Sequence, residues 1–176
     1  VSDIQQRKFI SFIGNMGSNK DLKKFFDIAK GLPSMRFLLA GSGNLNDYKD
    51  EISKLDNVTV INRFLTETEY FSYLDQSIYV VLPYTSASQS GVVLDVMCRG
   101  GIAVCTNIPA FAEIITHMET GIIFDYENFS ENFIKSLPSL SASKQFDIST
   151  SALKSYNANF SESVFFDAIK STAIKW

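Results

Sequence analysis

The sequence has little of what builds metal and disulfide sites. Its 176 residues include two cysteines and one histidine. Cys98 and Cys105 are too few for a disulfide scaffold and their spacing matches no zinc motif, so a reducing compartment is the expected setting. The lone His117 excludes a histidine-rich metal cluster and weakens any Ser-His-Asp reading, which needs a histidine placed by a third group. Charge of one sign is also lacking: 16 Lys and Arg against 19 Asp and Glu leave −3. No basic field is present to hold a nucleic-acid backbone. Long apolar runs are missing too, the longest lying near Ile78 to Leu82, far below the roughly 18 residues of a membrane span. No charged-then-apolar leader opens the chain, so the expectation is a soluble, cytoplasmic domain. It starts at Val1 rather than Met, which points to a piece of a longer protein.

What the chain does have is 45% apolar and 20% charged residues, the balance of one domain with a sizeable core. Short β-like runs at residues 8–13, 36–40, 58–61, 78–82, 102–106 and 122–124 alternate with helix-period stretches. This rhythm predicts βαβ units on a parallel sheet of about six strands, an α/β Rossmann-like domain. Leu22, Phe25, Phe26 and Ala29 form one helical stripe opposite Lys23, Lys24, Asp27 and Lys30. Thr66 and Glu69 form a capping box with Leu65 and Tyr70 at the staple positions. Val92, Val93, Val96 and Met97 mark a further helix stopped by Gly100 and Gly101. The serine-rich stretch from Ser136 to Ser151 reads as loop, and Val164, Phe165, Ala168 and Ile169 read as a last helix.

Ligands of open parallel sheets bind beyond the carboxyl ends of the strands. There the chain places Gly14-Asn15-Met16-Gly17-Ser18-Asn19-Lys20, then Gly41-Ser42-Gly43, then Pro83 to Gly91. The glycine pair at 41 and 43 is explained by turn chemistry. It is no dinucleotide fingerprint, since Asn46 replaces the third glycine and no acid follows at the expected distance; a P-loop is absent as well. The small polar loop from Ser86 to Gly91 is equally a plain serine cap or an anion site, in which the free N–H groups of Gly91, Val92 and Val93 face the strand ends. Asp95 lies about 130° from the apolar stripe by wheel arithmetic, off the core. It either accepts from sugar hydroxyls or complements the helix dipole. Lys20 is a candidate point charge for a phosphate or a solvated lysine, and Arg63 and Glu113 carry the same two readings.

Taken in order, Phe12-Ile13-Gly14-Asn15 with Lys20, Phe37 to Gly43, Val80-Val81-Leu82-Pro83-Tyr84, Ser88-Gln89-Ser90-Gly91-Val92, and Pro109 with Glu113-Ile114-Ile115 and Thr120-Gly121 resemble the C-terminal domain of glycosyltransferase family 4. This is the large GT-B group that includes many bacterial capsule and O-antigen enzymes. The resemblance implies a single donor domain over residues 1–176, with an N-terminal acceptor-binding domain outside the chain. It implies a retaining transferase that moves a sugar from a nucleotide sugar, of UDP type, to a lipid-linked saccharide, with peripheral association at the inner membrane face. Lys20 is then the catalytic cation at the diphosphate. Gly14, Asn15, Gly41, Ser88, Gln89 and the Ser90, Gly91 and Val92 amides form the donor pocket, Arg63, Phe64 and Leu65 lie by the nucleobase, and Asp95 lies near the ribose. No metal or cofactor is implied, since a lysine and a helix dipole neutralise the leaving diphosphate. Three departures stand out: Ala87 where the family's first glutamate sits, Gly17 where related loops place arginine, and Ser77 in place of an aspartate. They leave open a non-catalytic binding module and a GT-B nucleotide-sugar epimerase.

Overall fold

Each of the six apolar runs forms a strand: β1 (Phe9–Ile13), β2 (Arg36–Gly41), β3 (Val58–Asn62), β4 (Ser77–Leu82), β5 (Ile102–Thr106) and β6 (Ile122–Phe124). The structure is a computed structural model and describes residues 3–161, 163, 164 and 166. All five strand pairings are parallel, in the order β3-β2-β1-β4-β5-β6. Strands covered on both faces carry no polar alternation, which is why β5 reads Ile-Ala-Val-Cys-Thr and is buried throughout. β3, at the edge, is only half covered.

The helices are α1 (Leu22–Gly31), α2 (Lys49–Ile52), α3 (Glu67–Asp75), α4 (Gly91–Cys98), α5 (Pro109–Ala112), α6 (Phe129–Ser136) and α7 (Ala142–Asn159). The α1 stripe sits on the sheet with Phe25 edge-on to Phe12 and Phe37, centroids 6.4 and 5.7 Å away. α3 begins with the capping box, as Glu69 N donates to Thr66 Oγ1 at 3.3 Å and Thr66 N donates to Glu69 Oε2 at 2.9 Å. α4 buries Val93, Val96 and Met97 and stops where Gly100 adopts φ +64°.

The stretch from Ser136 to Ser151 is not a loop. α6 ends at Ser136, and Ser141 caps α7 by accepting from Lys144 N at 3.2 Å. Ile148 and Ala152, four residues apart, are fully buried, and α7 packs on α4 and β5. Ser149 donates to Gly100 O at 2.7 Å, so a serine that reads as solvent-facing ties the helix to the turn after α4. Of the expected last helix, Phe165, Ala168 and Ile169 lie outside the described residues. None of the described helices is long and apolar enough to cross a membrane.

Ser77 opens β4 at an irregularity: Phe9 pairs with Ser77 and Ile10 with Tyr79, so Ile78 is an extra residue. The buried Ser77 hydroxyl lies 2.6 Å from Ser11 Oγ and donates to Tyr73 O at 2.6 Å. Both cysteines are free thiols, and full burial pushes the Cys105 thiol well up.

The chain runs outward through β2 and β3, then returns to place β4 beside β1 and runs the other way. The connections leaving β1 and β4 therefore diverge, opening a crevice at their carboxyl ends, where such sheets bind ligands.

Candidate functional site

The crevice begins with glycine geometry. Gly14 and Gly41 end β1 and β2 at φ +123° and +143°, a region open to residues without a side chain. A Cβ on Gly41 would stand 1.8 Å from Gly14 O, so only glycine lets the two strand ends meet. Gly14 N donates to Ala40 O at 2.9 Å and Arg63 N to Gly41 O at 2.8 Å, closing the floor. Above it lies a cleft of about 370 Å³ lined by Gly14, Asn15, Gly41, Ser42, Phe64, Leu65, Glu67 and Tyr70. Four of the expected donor residues, Gly14, Asn15, Gly41 and Phe64, thus meet in one place. Ser42, Leu65, Glu67 and Tyr70 line it with them; of these Leu65 is expected by the nucleobase, and Leu65 and Tyr70 are expected as a helix staple.

Phe64 is 84% exposed, an aromatic face held in water at the mouth. Its loop is rigid. Arg63 donates to Glu69 at 3.0 and 2.5 Å and to Phe64 O at 3.1 Å, while the same Glu69 closes the capping box. These hydrogen bonds, led by the guanidinium, pull the Glu69 carboxyl down to about 2. The Arg63 charge is therefore engaged by the loop.

Lys20 lies on the second lip. Its Nζ has no carboxylate partner among the described residues; it donates to Asn19 Oδ1 at 3.1 Å and stands 4.7 Å from the Tyr84 ring centroid. Partial burial lowers its pKa. Asn15 Oδ1, Asn19 Oδ1 and Lys20 Nζ gather around Gly17, where a Cβ would meet the two carboxamide oxygens at 3.2 Å and Nζ at 3.8 Å. A larger residue at 17 would displace the side chains that hold the lysine.

The β1 and β4 loops are laced together. Asp21 N donates to Pro83 O at 2.9 Å, Thr85 N to Asn19 O at 2.9 Å, and Asn19 Nδ2 to Ser86 O at 2.8 Å. Ser88 and Gln89 stay exposed beyond this seam, and Ala87 packs against the core. Ser90 stands at the N-cap of α4, but its side chain caps no helix N–H; it is buried against Tyr84, whose hydroxyl burial pushes up in pKa. The simple serine-cap reading thus fails. Gly91 is exposed with open space where a Cβ would be, and Val92 Cγ2 lies 3.8 Å from the same point on Gly14. The first turn of α4 therefore stands beside the β1 end.

Asp95 is half-buried off the apolar stripe, as its wheel position predicts, and accepts from Tyr70 Oη at 2.8 Å. Glu113 is exposed just past α5 and does not line the cleft. Among the described residues no three His, Cys, Asp or Glu come together as a metal site. A larger cleft, about 590 Å³, opens at the opposite, amino-terminal ends of β1 and β4. Arg7 lines it but donates to Leu74 O and Ser77 O at 3.3 and 3.1 Å, and Arg99 is bound to Asp75, so these charges clasp the fold together.

A doubly wound, Rossmann-like parallel domain is the architecture of GT-B glycosyltransferase C-terminal domains, and solved structures share this fold. The C-terminal domain of a glycosyl transferase group 1 family protein (LpcC) from Francisella tularensis superposes with a TM-score of 0.79 at 17% identity, over 92% of this chain and 94% of that one. The Anabaena protein Alr3699/HepE, solved in complex with UDP, gives 0.80 at 15% identity, over 98% of this chain and 50% of that one. Residues 7–143 match the family of glycosyl transferases group 1, and the chain belongs to it. A curated relative, the 2-deoxystreptamine N-acetyl-D-glucosaminyltransferase of Niallia circulans, is 25% identical over 131 residues, 70% of this chain. The chain spans about a third of that relative's length, 34%.

Proposed function

We propose that the chain is the donor-binding half of a retaining glycosyltransferase that uses a UDP-sugar. The observation that carries this is the joining of a glycine-floored, aromatic-edged cleft to a lysine-bearing lip across the β1/β4 switch point. In this reading the nucleobase rests by Phe64 and Arg63, the ribose by Asp95, and the diphosphate spans the Gly14-Asn15 turn, Lys20 and the Ser90, Gly91 and Val92 amides. Ser88 and Gln89 face the donor sugar where Ala87 offers no carboxylate. Hydrogen-bond donors fixed before the substrate arrives stabilise the charge that builds on the leaving diphosphate, with no reorganisation at the moment of transfer. Partial desolvation of Lys20 strengthens its attraction for that charge. The Anabaena neighbour was solved with UDP-glucose as well as UDP, which supports the choice of nucleotide. The acceptor, a lipid-linked saccharide of surface-polysaccharide synthesis such as O-antigen or capsule, would be held by a second, N-terminal domain at the cytoplasmic face of the membrane. The donor reading is tested by titrating the chain with UDP, UDP-sugars and GDP-sugars by calorimetry. Binding of the UDP series is expected; no heat with any of them at millimolar concentration sinks it.

A further inference from the structure

The Tyr70 hydroxyl joins the cleft wall to α4. Tyr70 lines the cleft beside Gly14, Asn15 and Phe64, and donates to Asp95 Oδ2 at 2.8 Å. Its place is fixed twice. The Thr66–Glu69 capping box sets the first turn of α3, and the Tyr70 ring meets Phe71 edge-on at 5.3 Å. Burial, then the Asp95 hydrogen bond, pushes its pKa far up, so the hydroxyl remains a donor throughout the physiological range. With Oδ2 so occupied, Oδ1 of Asp95 has no protein donor among the described residues.

A half-buried aspartate without a partner samples several rotamers. One that receives a buried phenol hydrogen bond is held with a lone-pair direction fixed, ready for a second donor. The chemical group in a nucleotide that offers adjacent O–H donors to a fixed carboxylate is the ribose vicinal diol. We propose that Tyr70 is a positioning residue that orients Asp95 toward the ribose diol and thereby makes the site selective for ribonucleotides over 2′-deoxyribonucleotides. The inference rests on the donor-binding reading above and adds to it the residue that sets sugar discrimination.

Calorimetry of the chain and of Tyr70→Phe, Asp95→Asn and the double variant with UDP and 2′-deoxy-UDP tests it. The unsubstituted chain should prefer UDP by about tenfold, the worth of a hydrogen bond to a charged group. Tyr70→Phe should shrink that preference to about twofold by weakening UDP while 2′-deoxy-UDP binds as before. The double variant should be no weaker than Asp95→Asn alone, because the tyrosine acts through the aspartate. If the unsubstituted chain binds neither nucleotide, the donor reading falls and this inference with it. If it binds UDP and Tyr70→Phe keeps the same preference, or loses both nucleotides equally, the inference alone is overturned. Melting temperatures of the variants separate a lost hydrogen bond from a lost fold.

Discussion

Substituting Gly41 by alanine sets a purely structural demand of the site against stability. The residue sits at φ +143°, and the added Cβ would fall 1.8 Å from Gly14 O, a backbone atom that cannot swing aside. A non-glycine residue in such a region costs about 1–3 kcal/mol, and forcing an extra carbon into a packed site costs about 1–3 kcal/mol more. Gly41→Ala should therefore lose roughly 4 kcal/mol of the ~5–15 kcal/mol typical of a domain. With an m-value near 2 kcal/mol/M, its urea midpoint should drop by about 2 M. Gly91→Ala is the matched control, because nothing lies within 4 Å of its Cβ. Its stability should stay within the ~0.5 kcal/mol scatter of surface changes, while its UDP affinity falls if the diphosphate approaches that amide. The two variants should thus separate a glycine needed by the fold from one needed by the ligand. A Gly41→Ala midpoint within about 0.3 M of the parent would refute the account of how the β1 and β2 ends meet.

Lys20→Ala should weaken UDP binding by tenfold or more while uridine affinity changes by less than about twofold, since in the proposed pose only the diphosphate meets the ammonium; equal losses in calorimetry would sink the assigned role. The Glu69 carboxyl, held near 2 in the folded chain, is more readily protonated when unfolded. Its contribution to stability is present above the unfolded carboxylate range and is lost as pH falls toward 2. Urea midpoints from pH 6 to 2.5 should accordingly decline less steeply in Glu69→Gln, and parallel curves would contradict the Arg63–Glu69–Thr66 network. Ile148→Ala should cost about 2–4 kcal/mol, as expected for a fully buried residue on a packed helix; a midpoint unchanged in thermal melts would restore the loop reading of that segment.

The sheet was legible because parallel strands covered on both faces are written as unbroken apolar runs, and all six appear where those runs lie. α1 and α3 were legible through a clean stripe and a reciprocal cap. α7 was hidden because its buried contacts rest on Ile148 and Ala152, while Ser149 and Ser141 hydrogen-bond to the backbone, a use of serine that looks the same in sequence as a solvated loop. α6 could have been found from Phe129 and Phe133, four residues apart and buried against the sheet and Tyr79. At the site, glycines with forced backbone geometry were visible at the strand ends. The partners were not: the sequence cannot tell that Arg63 is taken by Glu69, that Ser90 turns inward to Tyr84 instead of capping, or that Tyr70, visible only as half of a helix staple, reaches across to Asp95. The Tyr70–Asp95 pair depends on which elements face each other across the crevice, a property of topology, while the Arg63–Glu69 and Ser90–Tyr84 contacts depend on how one connection folds back on itself.

The hydrogen bonds that lace the β1 loop to the β4 loop also bear on kinetics. Asn19, Asp21, Pro83, Thr85 and Ser86 join the β1 and β4 loops by contacts that need no ligand, so the rim is already assembled before the proposed donor arrives. A rim of this kind has little ordering left to do on encounter, and capture is governed by diffusion and orientation. Donors that differ in their sugar should then enter at similar rates and differ in how long they stay.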